Sequence, residues 1–90
     1  MRTFSRTNQF KKDVERARKR GWDLPKLKVV MDLLIEGHSL PPEFKDHPLK
    51  GNWVGSRDCH IGSDWVLIYT LEDNHHVRFE RMGTHSDLFR

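Results

Sequence analysis

The segment WVGSRDCHIGSDWVLIYTLEDNHHVRFER, residues 53–81, carries the clearest structural signal in this chain. Its apolar residues recur with a period of two between turn-forming residues, which is typical of β-strands with one face on a core. The segment predicts three strands and two tight turns: residues 53–61, 64–71 and 77–81, with turns at Gly62-Ser63 and Asp73-Asn74. Such short connections join neighbouring strands into an antiparallel meander.

Two amphipathic helices are predicted ahead of this segment. Thr7 or Asn8 caps the first helix, and Gly21 ends it. Asp23 opens the second helix, and Gly37 ends it. Their apolar stripes are Phe10, Val14 and Ala17 in the first helix, and Leu27, Val30, Met31 and Leu34 in the second. Because only a short junction separates the helices, we expect an antiparallel helical hairpin.

The order of these elements sets the expected fold class. Residues 3–5 form a short strand, the helices follow, and the proline-containing residues 38–52 form a loop. We therefore expect one α+β domain over residues 1–90, ordered β-α-α-β-β-β, with the helical hairpin packed on one face of a small antiparallel sheet. Too little chain remains to cover the other sheet face, which should stay partly open.

Composition limits the class of protein. The chain has 90 residues, of which 36% are hydrophobic and 32% charged, and this suits one small domain with a well-solvated surface. Cys59 is the single cysteine, so no internal disulfide forms and a reducing compartment is expected. No apolar run resembles a signal peptide or reaches the roughly 18 residues of a membrane span. We expect a cytoplasmic protein with no membrane partner.

Positive charge is concentrated near the N-terminus. Residues 1–20 hold eight Lys or Arg against two acidic residues, a net charge of +6, while the other seventy hold eight against eleven, a net charge of −3. Such an asymmetric field attracts polyanions, and nucleic acid is the usual one. A solvated helix face explains the same pattern equally well. The cations of the first helix are Lys11, Lys12, Arg16, Arg18, Lys19 and Arg20.

Histidines in the second half of the chain indicate acid–base chemistry. His47 lies in the proline-rich loop, His60 in a strand, and His85 after the last strand. Imidazole gives or takes a proton near neutral pH, and Arg81, at the end of that strand, is suited to binding phosphate. A base, an acid and a cation suffice to cut an RNA phosphodiester. Taken singly, each of these residues is equally typical of a solvated surface.

Two further predictions concern the surroundings of His60. A tight Gly62-Ser63 turn places His60 opposite Trp65, where an exposed indole would stack on a nucleotide base, although a tryptophan at such a position is more often core. The chain has no H-x-x-x-H or C-x-x-C motif, and Cys59, adjacent to His60 on a strand, faces the opposite way. We therefore expect no metal site and no cofactor.

Four motifs in the second half strongly resemble the YafQ toxins, the histidine-bearing branch of the RelE/ParE toxin superfamily. They are Lys45-Asp46-His47-Pro48-Leu49, Gly51-x-Trp53-x-Gly55-x-Arg57-Asp58-x-His60, Asp64-Trp65-x-Leu67-Ile68-Tyr69 and Arg78-Phe79-Glu80-Arg81-x-Gly83-Thr84-His85. The resemblance extends from the first strand to Phe89, and the helical half matches mainly in pattern. It implies the RelE-like α+β fold and the toxin of a type II toxin–antitoxin pair, which enters the ribosomal A site and cuts the mRNA there.

The same resemblance implies the roles of individual residues. The implied catalytic residues are His47, His60, Asp64, Arg81 and His85, and the implied substrate-binding residues are Trp65 and Phe89. In the expected reaction the RNA 2′-hydroxyl attacks the adjacent phosphorus, and no metal is required. We assign His85 as the general acid and either Asp64 or His47 as the base. His60 and Arg81 would stabilise charge.

The implied partners are a cognate antitoxin, the mRNA and the ribosome, whose RNA the basic first helix would contact; that helix could instead dock the antitoxin. We expect a monomeric free toxin and allow for a heterotetramer with the antitoxin. Two alternatives stay open. One is a ParE-like toxin, which poisons DNA gyrase and cuts nothing. The other is a non-catalytic nucleic-acid-binding module in which the histidines are incidental.

Overall fold

The computed structural model describes residues 1–89, which form a five-stranded mixed sheet, two long helices and a final helical turn. The elements are β1 (Thr3–Arg6), α1 (Asn8–Lys19), α2 (Leu24–Glu36), β2 (His47–Pro48), β3 (Arg57–Gly62), β4 (Trp65–Glu72), β5 (His76–Gly83) and α3 (His85–Leu88), with 3-10 turns at Pro42–Phe44 and Gly51–Trp53. The strands lie side by side in the order β1-β5-β4-β3-β2. The expected α+β class and element order are confirmed.

Local capping signals explain where the two long helices begin and end. The Thr7 side chain accepts a hydrogen bond from the backbone N–H of Phe10 at 2.9 Å, which satisfies a free donor at the start of α1. Asp23 does the same for α2, and Gly37 ends α2 in the left-handed conformation, with φ of 84°. A side chain at that φ would be strained, so glycine suits this helix end.

The sheet is mixed, whereas the sequence predicted an antiparallel one. β1 runs parallel to β5, with Thr3 paired to His76 and Arg6 paired to Phe79. The hydroxyls of Thr3 and Ser5 bind the two ring nitrogens of His76 at 2.7 and 2.8 Å and so hold this register. Parallel neighbours require a long crossover, which the two helices and the meander provide here.

The proline-rich segment before the meander is more ordered than the predicted loop. It contains β2, in which His47 pairs with Asp58 and Pro48 pairs with Arg57 of β3. A proline is tolerated there because β2 is an edge strand, with one side free of pairing. This short strand brings His47 alongside Asp58 and His60 of β3. The predicted strand over residues 53–61 is correspondingly shorter and begins at Arg57.

The core lies between the two long helices and one face of the sheet. Phe10 of α1 packs on Phe79 of β5, with ring centroids 5.7 Å apart, and Val30 of α2 is fully buried. Each fully buried side chain of this size contributes roughly 1.5–3 kcal/mol to folding. Val66 and Ile68 are also buried, but they alternate with the core residues along β4 and so lie on the second face. Within residues 1–89, no helix is both long and apolar enough to cross a membrane.

Candidate active site

Three imidazole rings meet on the second face of the sheet. The ring of His60 lies 6.1 Å from that of His47 and 5.4 Å from that of His85, measured between centroids. Phe89 continues this row, with its ring 6.1 Å from that of His85 and 39% of the residue exposed. β2, β3 and α3 each supply one histidine, so residues that are far apart in the sequence form one cleft.

His85 is held by the turn between β3 and β4. Its backbone N–H and its ring Nδ1 both donate to Oδ1 of Asp64, at 3.0 and 2.8 Å. Because a carboxylate only accepts, Nδ1 carries the proton and Nε2 is left for a substrate. The same hydrogen bonds, the backbone one foremost, lower the pKa of Asp64. Asp64 therefore orients His85.

The helical turn that carries His85 is itself well anchored. Thr84 and Asp87 form a capping box, in which each side chain accepts a hydrogen bond from the other residue's backbone N–H. Oδ2 of Asp87 also accepts a hydrogen bond from Arg20, the residue that caps the C-terminus of α1, at 3.0 Å, and Nη2 of Arg16 lies 3.6 Å from the same oxygen. The bond from Arg20 is the main cause of a pKa of Asp87 well below its usual range. The basic helix thus supports the turn that positions His85.

His47 presents its ring Nε2 to the cleft. Its Nδ1 lies 2.8 Å from the carbonyl oxygen of Lys45 and 3.1 Å from Oδ1 of Asp58. A carbonyl oxygen can only accept, so Nδ1 carries the proton and the lone pair resides on Nε2. A neutral imidazole in this tautomer is ready to accept a proton at Nε2.

Asp58 forms part of the floor of the cleft and was not among the predicted site residues. It is 3% exposed, and its Oδ1 has no well-formed hydrogen bond, because the His47 proton is directed to the Lys45 carbonyl. Burial raises the pKa of Asp58, opposed by the charges of the three cleft histidines. A signal was present in the sequence: Asp58 and His60 are two residues apart on one strand and so share a face.

Arg81 lies on the same face of the sheet as the cleft, but its guanidinium is paired with a buried carboxylate. Its Nε and Nη2 atoms each donate to Asp13 of α1 at 3.1 Å. Asp13 is 2% exposed and also accepts from Arg16 and from the backbone N–H of Met82. Arg81 pairs with Ile68, and Ile68 pairs with Asp58, which puts Arg81 roughly 10 Å, two strand spacings, from the floor of the cleft. Asp13 therefore fixes the direction of this guanidinium.

Trp65 does not lie opposite His60, where the sequence predicted it. The β3–β4 turn consists of Ser63 and Asp64, a register shift follows His60, and Trp65 pairs with Gly62 while His60 pairs with Val66. The Trp65 ring is therefore on the core face, 5.0 Å from that of Trp22, and the residue is 7% exposed. The expectation of an exposed indole beside His60 is wrong. The implied role of Trp65 in substrate binding stays a prediction.

The basic residues of α1, with Arg20 at its C-cap, fall into two groups. Arg16 and Arg20 pair with Asp87, Arg16 also pairs with Asp13, and Arg18 pairs with Glu15. The lysines form no salt bridge within residues 1–89 and are exposed: Lys11, Lys12 and Lys19. The arginines therefore serve mainly the structure of this protein, and the lysines are the cations available to a polyanion.

Comparison with known proteins identifies the family of this chain. The family model for YafQ, described as a bacterial toxin of type II toxin–antitoxin systems, matches residues 2–90. The chain is 51% identical over 89 residues to the mRNA interferase toxin YafQ of Escherichia coli strain K12, covering 98% of this chain and 96% of that protein.

Solved structures give the same result. The E. coli DinJ–YafQ toxin–antitoxin complex matches with 50% identity and a TM-score of 0.92, over 99% of this chain and 98% of that one. A metal-bound toxin from Helicobacter pylori matches with 37% identity and a TM-score of 0.91, over 99% and 100%. This chain belongs to the YafQ family of type II toxins.

Proposed function

We propose that this chain is an mRNA interferase, the toxin of a type II toxin–antitoxin pair, and that it cuts message on the ribosome by acid–base catalysis. The observation that carries this proposal is the row of three imidazoles, in which His47 and His85 each use Nδ1 for their hydrogen bond and leave Nε2 unengaged by any residue from 1 to 89. Its relative in E. coli bears the name mRNA interferase toxin.

His47 is the general base in this proposal. Its neutral tautomer has the lone pair on Nε2, which takes the proton of the RNA 2′-hydroxyl as that oxygen attacks the adjacent phosphorus. Asp64, the other candidate base, accepts both hydrogen bonds from His85 at Oδ1, so we assign it to orienting the acid. A well-placed base of this kind contributes roughly 10²–10⁴-fold to the rate.

His85 is the general acid. In its doubly protonated form, Nδ1 stays bound to Asp64 and Nε2 donates its proton to the departing 5′-oxygen. The P–O5′ bond breaks, and the upstream fragment ends in a 2′,3′-cyclic phosphate. The proton taken up by His47 and the proton given by His85 balance, so the side chains supply all the proton transfers that the step needs.

The remaining side chains stabilise charge and position the RNA. His60 lies between the base and the acid, where its ring N–H can face the phosphate oxygens as negative charge builds on them. Arg81, aimed by Asp13, contributes positive charge from the side of the cleft. Phe89, partly exposed next to His85, offers a ring on which a base can stack.

The proposed partners follow from the same family. DinJ–YafQ is a toxin–antitoxin complex, and we expect a cognate antitoxin for this chain as well. The three unpaired lysines of α1 would contact ribosomal RNA or an acidic antitoxin segment. An activity on translated message would take place in the cytoplasm. A monomeric free toxin and a heterotetrameric complex stay expectations.

Mapping message ends on programmed ribosomes tests the proposal. Purified protein with ribosomes should produce defined cuts within codons in the A site, and His85→Gln should reduce them at least about 10²-fold. His75→Gln, a change of an exposed histidine in the β4–β5 turn, is the matched control and should cut normally. Intact message together with arrested DNA supercoiling would instead identify a gyrase toxin.

A further inference from the structure

A cavity of about 330 Å³ adjoins the cleft of the three histidines. It lies between the start of α2, the 3-10 turn Pro42–Phe44 and the end of β3. His60 lines this cavity and is also the central ring of the cleft, so the two are continuous. A concave site of this volume has room for a small organic group. Because RNA extends beyond the cut phosphate, its neighbouring nucleotides must lie on surfaces that adjoin the cleft.

Two lysines supply positive charge to the cavity. Lys26, in the first turn of α2, and Lys45, two residues before His47, line the cavity and are exposed. Neither forms a salt bridge with any residue from 1 to 89. Glu43 is the acidic residue among those that line the cavity, so the lysines outnumber it. An ammonium group with no carboxylate partner can bind a phosphate oxygen without losing another ion pair.

The backbone fixes Lys45 next to the base of the proposed reaction. Its N–H donates to the carbonyl of Pro42 at 3.0 Å, and its own carbonyl accepts from Nδ1 of His47 at 2.8 Å. Lys45 has φ of 51°, in the left-handed region that residues other than glycine, asparagine and aspartate seldom adopt. Residues held in this way cluster at functional sites. The bond that sets the tautomer of His47 therefore also ties a cation to its side of the cleft.

Phe44 gives the cavity an aromatic wall. Its side chain is half-buried, packs against the hydrophobic core and lines the cavity. An aromatic ring held by the core is a platform on which a nucleobase can stack, whatever the base. Gly62 and Ser63 also line the cavity and add no large side chain that would fill it. A ring beside cations is the combination with which proteins bind single-stranded nucleic acid.

We propose that this cavity binds the nucleotide upstream of the cut, with its base against Phe44 and its 5′-phosphate near Lys26 and Lys45. The upstream side follows from His47, which takes the proton of the upstream 2′-hydroxyl and is hydrogen-bonded to Lys45. His85, which serves the downstream 5′-oxygen, lies at the other end of the row. The position relative to the cut rests on the proposed function, whereas the binding of RNA in the cavity does not.

RNA binding is measured first, without cleavage. A short fluorescent RNA with 2′-fluoro sugars lacks the attacking hydroxyl, and its anisotropy reports its affinity for the purified protein. Lys26→Gln/Lys45→Gln should bind this RNA at least about tenfold more weakly, and Phe44→Leu at least about fivefold more weakly. Lys28→Gln is the matched control, because Lys28 is paired with Asp32 on the same helix, and should bind normally. If Phe44→Leu fails to fold, the lysine variant, which changes exposed side chains, decides.

Three results would overturn the RNA site. One is equal RNA affinity of wild type, Lys26→Gln/Lys45→Gln and Lys28→Gln, and another is a wild type that does not bind the RNA. The third is a lysine variant that binds RNA normally but loses affinity for a polyglutamate peptide, which would assign the cavity to an acidic protein segment.

The side of the cut is tested on ribosomes, with a message whose first phosphate upstream of the cut is a neutral methylphosphonate. This change should lower kcat/KM of the wild type at least about tenfold and should lower that of Lys26→Gln/Lys45→Gln much less, because the lysines act through that phosphate. Lys11→Gln, on α1, is the control and should lose as much as the wild type. An equal loss in all three proteins would overturn the upstream placement. If the wild type cuts neither message, the proposed nuclease function is refuted, while the binding measured without cleavage stands.

Discussion

Oδ1 of Asp64 accepts from two nitrogens of His85, the backbone N–H at 3.0 Å and ring Nδ1 at 2.8 Å. Two bonds to one residue fix both the start of α3 and the rotation of the imidazole. Asp64 itself is exposed, in the turn between β3 and β4. Its carboxylate acts on the reaction through His85, as a positioning residue.

Replacing Asp64 by asparagine should lower kcat by about 10–100-fold with little change in KM, because the imidazole loses its fixed orientation. The double variant Asp64→Asn/His85→Gln should be no slower than His85→Gln, since one residue acts through the other. Asp73→Asn, in the β4–β5 turn, is the control. Multiplied losses in the double variant would mean that Asp64 acts independently, as a base would.

Asp13 should be essential to stability. Asp13→Asn leaves the paired Arg81 without a buried counter-charge and should destabilise the fold by about 3–5 kcal/mol in urea unfolding. Glu15→Gln on the same helix removes only an exposed, solvent-screened pair with Arg18 and should change the free energy of unfolding far less than Asp13→Asn does. Equal effects of the two changes would show that Asp13 is no anchor for Arg81.

The stability contributed by Asp87 should depend on pH in one direction. Its pKa in the folded protein lies below the unfolded value, so the folded state favours the charged form. The contribution is therefore complete above about pH 4 and is lost as the pH falls further. Asp87→Asn should cost about 1–3 kcal/mol at pH 7 and progressively less in acid. If the difference in the free energy of unfolding between wild type and Asp87→Asn stays constant from pH 7 to pH 2, that result would contradict the ion pair with Arg20.

Ribosome binding should depend on the unpaired lysines of α1. Changing Lys11, Lys12 and Lys19 together to glutamine should lower affinity and reduce the slope of log affinity against log salt by about 2–3. Lys28→Gln is the control, because Lys28 is paired with Asp32 on α2. Binding to purified ribosomes at several salt concentrations measures this. An unchanged slope would mean that these lysines do not contact ribosomal RNA and either face solvent or bind the antitoxin.

Local signals in the sequence predicted the helices correctly, whereas the pairing of distant strands could not be predicted from such signals. Asp23 and Gly37 mark the ends of α2 through contacts within a few residues. The parallel β1–β5 pairing joins segments some seventy residues apart and leaves no local trace. A register shift after His60 pairs His60 with Val66, so His60 and Trp65 lie on opposite faces of the sheet, since one residue of slip reverses the face that a strand presents.

The central claim, that His85 is the acid and His47 the base, is tested most directly by a message with sulfur in place of the bridging 5′-oxygen at the cut. A thiolate leaves without a proton. On ribosomes, His85→Gln should be slow on the oxygen message and recover most of its rate on the sulfur one. His47→Gln should stay slow on both. Recovery by His47→Gln, or by neither variant, would contradict this assignment.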